Sequence, residues 1–303
     1  MATVKNVAIA GASGSLGSVV FAKLASSGKF NVRVLQRIGS TATFPPGTDV
    51  VEVDFASFDS LRAALAGQDA VVSTVATLAA KDQIALADAT AAAGVKRIIP
   101  SEFGGNLDNP KARQLPFYAA KIQVQDHIIE KAKTTDLTYT FIYSSVFLDW
   151  TLEKGFMFDL SGKKNTLFND GTSVFSATTL SSIGDAIVGV LSHLDETKNR
   201  SVRIQDLQIS QGQLLELSKK AAPDRSWEVD YVNIDDAIAE AKARLARGLD
   251  GLETFRPYLW QTATDPEYGS LFGENDNELL GLKGKTEADV LAVIKSILSA
   301  KAT

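Results

Sequence analysis

Three groups of residues in this chain have types and spacing suited to chemistry. The first is Gly11-Ala-Ser13-Gly14-Ser15-Leu16-Gly17, directly after the apolar run Val4–Ala10. Gly11 permits a tight turn, Gly14 lets backbone approach a pyrophosphate, and Gly17 lets a helix pack closely on a strand. A helix starting here offers unpaired N–H groups and a positive dipole end to phosphate oxygens. The spacing is G-x-x-G-x-x-G rather than G-x-G-x-x-G, and the plain alternative is an ordinary strand-to-helix turn. The second group is Gln36-Arg37, which stands where an acidic residue would hold the ribose hydroxyls of NAD. A guanidinium fork suits a 2′-phosphate instead, so Arg37 selects NADP; the alternative is a solvent-exposed arginine at a strand end. Asp54, after the third strand, can meet the adenine amino group or cap the helix near Ser57. The third group is Phe117-Tyr-Ala-Ala-Lys121. In a Tyr-x-x-x-Lys pair the tyrosine is the acid, but Phe117 holds that place here. Tyr118 lies about 100° further round a helix. The usual tyrosine-acid mechanism is therefore not expected.

Such groups need a frame. The first half alternates apolar strand patterns (4–10, 31–36, 49–53, 69–75, 96–100, 138–143) with helical ones (15–27, 57–66, 81–93, 116–133). This alternation implies right-handed βαβ crossovers and a Rossmann-type, doubly wound parallel sheet, an α/β fold. Residues 1–150 form the expected nucleotide-binding domain, with returning elements near 172–206: a helix at 180–192 and a strand at 201–205. Residues 151–303 form a smaller, partly interleaved α+β substrate domain. It has helical patterns near 211–221, 234–247 and 286–299 and a Gly/Pro-punctuated stretch from 248 to 285. The aromatic group Phe147, Trp150, Phe156, Phe158 and Phe175 follows the site edge; it reads equally as a pocket for an aromatic or polyketide-like substrate and as core.

Bulk properties narrow the field. The 303 residues carry a net charge of −5 and no cysteine, which argues against a nucleic-acid surface and excludes disulfides, thiolate metal sites and cysteine nucleophiles. With only His127 and His193, a histidine metal site is not expected. His127 falls in a helical pattern and His193 near a helix C-terminus, where a cation suits the dipole. The first strand follows the start at once and no apolar run reaches membrane length, so a cytoplasmic protein without a membrane partner is expected.

Val95-Lys-Arg-Ile-Ile-Pro-Ser-Glu-Phe-Gly104, then Leu115-Pro-Phe-Tyr-Ala-Ala-Lys121, resembles the isoflavone reductase and phenylcoumaran benzylic ether reductase family, NmrA-like atypical short-chain reductases. The glycine loop, Arg37, Asp82-Gln83 and the lone lysine fall in that family's order. The resemblance is good over the first half and loose beyond it. It implies NADP(H) held by the glycine loop, Arg37, Asp54, Thr77, Gln83, Ser101, Lys121, Ser145 and Phe147. Lys121 would be catalytic: it can hold the nicotinamide ribose, polarise a substrate oxygen or, with a lowered pKa, transfer a proton, the plain alternative being an exposed helix lysine. Ser101, at a strand's C-terminal end, lies where open sheets place ligands. Glu102 can orient a loop or substrate, or form a structural hydrogen bond; with Phe103, Phe147, Trp150, Phe156 and Phe175 it makes up the expected substrate set. The family's Ser-Ser-Asn-Cys-Phe is Tyr143-Ser-Ser-Val-Phe147 here, which suggests the pocket of a microbial or fungal relative rather than a plant enzyme. The implied activity is NADPH-dependent reduction of a small aromatic or conjugated metabolite (an enone, benzylic ether, quinone methide or ketone) by a monomer or homodimer. The alternatives are an NADP-sensing regulator without turnover and a non-redox isomerase or cyclase that retains NADP.

Overall fold

Alternation along β1 (Asn6–Ala10) sends Val7 and Ile9 to one core and Ala8 and Ala10 to another, all with no exposed surface. A strand buried on both faces belongs at the centre of a sheet. It is followed by β2 (Asn31–Arg37), β3 (Asp49–Val53), β4 (Ala70–Ser73), β5 (Arg97–Ile99) and β6 (Thr138–Tyr143). The computed structural model describes residues 3–156, 158–162 and 164–301. Beyond β6 it has β7 (Val146–Phe147), β8 (Lys164–Phe168), β9 (Val174–Thr178), β10 (Arg200–Arg203), β11 (Leu207–Ser210) and β12 (Glu228–Val232).

Seven strands form one parallel sheet in the order β10-β6-β5-β4-β1-β2-β3. The order reverses at β1 and β4, and a crevice opens at the strands' C-terminal ends at such a reversal. Helices Ser15–Ser26 and Leu180–Ser192 pack together on one face, burying Val20, Leu24, Ile183 and Ile187 completely. Each such side chain contributes about 1.5–3 kcal/mol of hydrophobic stabilisation. Helices Phe58–Ala64, Asp82–Ala92 and Ala119–Thr134 cover the other face.

The remaining elements surround a separate core. β9 pairs antiparallel with β11 and parallel with β7, and β8 pairs parallel with β12. Helices Gln211–Ala221, Ile234–Ala246, Leu252–Thr264 and Glu287–Ala300 contribute Leu214, Ile238, Trp260 and Ile294 to this core. Helix Leu180–Ser192 and β10 nevertheless belong to the large sheet, so the chain leaves that layer, returns and leaves again.

Two local differences from the sequence expectation have physical causes. The punctuated stretch 248–285 contains the helix Leu252–Thr264 with Pro257 inside it. Tyr258 and Trp260 are buried there, and their packing offsets the backbone hydrogen bond lost at proline. The expected helix over 116–133 begins as a 3-10 turn, Pro116–Tyr118, before the α-helix from Ala119. No helix of the described residues is long and apolar enough to cross a membrane.

Candidate active site

The glycine loop turns at the end of β1. Gly11 has φ +83°, and a Cβ there would lie 2.8 Å from the backbone of Thr74. At Gly17 a Cβ would meet the Gly11 carbonyl oxygen at 2.0 Å, so only glycine lets the helix approach the turn. The Gly14 N–H donates to the Gly11 oxygen at 3.0 Å, and Gly14 caps helix Ser15–Ser26 without any side chain taking its first N–H groups. Those donors suit an anion. Ser13 and Ser15 are exposed beside them, whereas the Leu16 side chain is buried in the core and leaves only its backbone to a ligand.

Arg37 is exposed at the C-terminal end of β2, and its side chain has no hydrogen-bond or ion-pair partner among the described residues. Asp54 does not cap the next helix. It accepts from the Ala56 N–H at 2.9 Å, while Ser57 is the cap. Thr77 is exposed in a 3-10 turn. Gln83 is buried and spanned by protein: its Oε1 accepts from the Ser101 N–H at 2.7 Å and its Nε2 donates to the Ala80 oxygen. Ser101 in turn donates to the Val75 oxygen at 2.8 Å. Gln83 therefore shapes the loop after β5 from below.

That loop and the one after β6 are laced together. The Phe103 N–H donates to the Ile142 oxygen, and the Ser144 and Ser145 N–H groups both donate to the Gly104 oxygen. Phe103 (φ +33°) and Ser145 (φ +51°) are held in the left-handed region. Such strain costs about 1–3 kcal/mol per residue and gathers at functional sites. The hydroxyls of Ser73, Ser144 and Ser145 and Oε1 of Glu102 are buried without partners in this quarter.

Lys121, on the first turn of helix Ala119–Thr134, is 8% exposed, and its Nζ donates to the backbone oxygen of Glu102. Burial lowers its pKa, opposed by the charge of Glu102. Burial raises the Glu102 carboxyl to about 7, opposed by Lys121, the Gln125 amide and Arg113. Tyr118 is no substitute acid. It is buried against Thr262, with its hydroxyl at 3.3 Å, and desolvation raises its pKa to about 12.

Of the expected aromatic pocket, Phe147, Trp150 and Phe156 are half-buried, with Trp150 and Phe156 ring centroids 5.9 Å apart. Phe158 and Phe175 follow the core reading, and Phe103, expected in the substrate set, is buried as well: the side chains of Phe103, Phe158 and Phe175 are 5%, 2% and 0% exposed within hydrophobic cores. Sequence reading missed Arg256, whose guanidinium carbon lies 5.3 Å from the Phe156 ring centre. It also missed Gln125, one helical turn from Lys121, a spacing that would have placed it on the same face. His127 pairs with Asp88 at 2.9 Å, and His193 caps the C-terminus of helix Leu180–Ser192.

The model of the NmrA-like family matches residues 3–241. The chain is 33% identical to the oxidoreductase aprR of Aspergillus flavus, over 95% of this chain and 98% of that one. It is 26% identical to a phenylcoumaran benzylic ether reductase of Betula pendula, over 57% of this chain and 60% of that one. Among solved structures, AtPrR2 with NADP+ and (+)pinoresinol superposes with a TM-score of 0.76 at 20% identity, covering 97% of this chain and 99% of that one. With a family model spanning most of its length and a full-length oxidoreductase relative, this chain belongs to the NmrA-like family.

Proposed function

We propose that the protein is an NADPH-dependent reductase of a small aromatic or conjugated metabolite, with Lys121 as its acid or electrostatic stabiliser. The observation that carries this reading is a lysine Nζ buried beside the C-terminal ends of β5 and β6, whose one hydrogen bond among the described residues is to a backbone oxygen. The cofactor fits the residues present. The Gly11–Gly17 cradle excludes a Cβ, no side chain caps the start of the helix, and Arg37 is exposed with no partner among the described residues. The NADP+ named for AtPrR2 agrees with that choice. When bound, NADPH supplies a hydride. As the reduced carbon gains that electron pair, negative charge develops on the substrate's oxygen or adjacent carbon. A buried ammonium stabilises this charge more strongly than a hydrated one, and its lowered pKa eases release of a proton. Phe147, Trp150 and Phe156 offer the half-buried apolar surface for an aromatic ring.

The test is NADPH oxidation against a panel of aromatic enones, benzylic ethers and ketones, with wild type and Lys121→Ala. Stoichiometric NADPH loss with product, reduced about 10²–10⁴-fold in the variant, is expected. Turnover without NADPH consumption would point to isomerisation or cyclisation. Full activity in the variant would remove Lys121 from the mechanism.

A further inference from the structure

The strongest unused feature of the molecule is the Glu102 side chain. It is 2% exposed, its Oε1 has no partner, and the family's lysine is anchored on the same residue's backbone oxygen. An isolated buried carboxyl is costly, so its surroundings must account for it. Those surroundings are built. Gln125, from the lysine's own helix, helps to stabilise the carboxylate and donates from Nε2 to the Tyr143 hydroxyl at 3.1 Å. Arg113 donates to Gln125 Oε1 at 2.9 Å, which fixes the amide's orientation. Tyr143 donates to Asp108 at 3.1 Å, and Asp108 receives Ser201 at 2.9 Å and Arg203 at 3.1 Å. The carboxyl is therefore braced from β6, from β10 and from the 108–113 segment.

We propose that Glu102 is a positioning residue that controls the charge of Lys121: its backbone oxygen fixes Nζ, and its buried carboxylate is the lysine's counter-charge. This inference rests on the reading of Lys121 given above. The charged and titratable groups that act on Glu102 are Lys121 from its helix, Arg113, Asp108, and the phenols of Tyr118 and Tyr143. Among them only Lys121 and Arg113 are cations, and Arg113 also pairs with Asp126. Once ionised, above about pH 7, Glu102 favours the ammonium of Lys121 over the amine. Glutamine at 102 would keep the shape and the backbone oxygen but withdraw that support.

The experiment is a pH titration by NMR of protein labelled at lysine Cε, with the Lys121 signal assigned by its loss in Lys121→Met. In Glu102→Gln the midpoint of Lys121 is expected to fall by about one pH unit or more, the size of effect an adjacent opposite charge exerts. A merely structural role predicts the opposite direction, because a loosened, hydrated lysine drifts up toward its ordinary value. An unchanged or raised midpoint overturns the proposal. If Glu102→Gln does not fold, a carboxyl-labelled titration of wild type and Lys121→Met replaces it. Loss of the cation should raise the Glu102 midpoint, and an unmoved midpoint overturns the proposal. Neither titration uses substrate. Coupling with full turnover in Lys121→Met would leave this inference standing and remove Lys121 from the reductase mechanism; no coupling, with turnover lost in Lys121→Met, would overturn this inference and leave that mechanism standing.

Discussion

Arg37 and Glu102 carry opposite lessons about single residues. Arg37 is free and exposed, so its loss should leave the fold alone. A charge-assisted hydrogen bond contributes about 1.5–3 kcal/mol, so Arg37→Ala should weaken NADPH binding about 10–100-fold and leave NADH nearly unchanged, as calorimetry can check. Glu102 is the reverse case, because its burial couples it to stability. Its carboxyl is raised from 4.5 to about 7, so between those values the folded protein keeps a proton that the unfolded chain has released. Stability should then fall as pH rises from about 4.5 through about 7, by an amount on the order of 3 kcal/mol at most. Thermal melts of Glu102→Gln should show a flatter profile across that window. The place of Arg37 at a strand end was legible because strand patterns are local, whereas Lys121 was singled out through the family resemblance. The burial of Phe103 and Phe175 was not legible, since which side of a loop or strand faces solvent is decided by elements distant in sequence.

Among the elements, helix Leu180–Ser192 depends on a carboxylate outside it. Asp206 accepts from the Thr179 N–H at 2.8 Å, the Thr179 hydroxyl at 2.7 Å and the Ser182 hydroxyl at 2.6 Å. Asp206→Ala would leave these buried donors unsatisfied. It should lower unfolding free energy by about 2–4 kcal/mol in denaturant titration, with cofactor affinity preserved in the folded fraction. The helix itself was readable from its apolar spacing, and its bounds match the expectation of 180–192. The helix Leu252–Thr264 was hidden by glycine and proline punctuation and by an anchor, Trp260, whose partner Phe168 lies far back in the chain. The short strands β7 to β9, β11 and β12 were equally obscure. Strands of two to five residues carry too few alternations to declare a period.

At the scale of the molecule, the large sheet is incomplete without late sequence. β10 forms its edge beside β6, and Arg97 ties β5 to β6 and to the turn before β10. Its guanidinium donates to Thr138, Thr140, Thr197 and the Leu194 oxygen, and it is 2% exposed. The whole chain should therefore melt in one calorimetric transition. A fragment of residues 1–150 should fail to give a cooperative transition, because it lacks β10 and the helix that covers Ile9, Val34 and Val72.

The chain's single return to the sheet between two departures also limits how its specificity can be re-engineered by recombination. The half proposed to face substrate cannot be grafted from a relative with one crossover, since a junction directly after β6 also imports foreign strand and helix into the host sheet, and one after β10 leaves the 144–178 segment behind. Two inserts are required, about residues 144–178 and 204–303, with 179–203 left native between them. Chimeras built on that three-segment plan should retain the host's cofactor preference while inheriting the donor's choice of substrate.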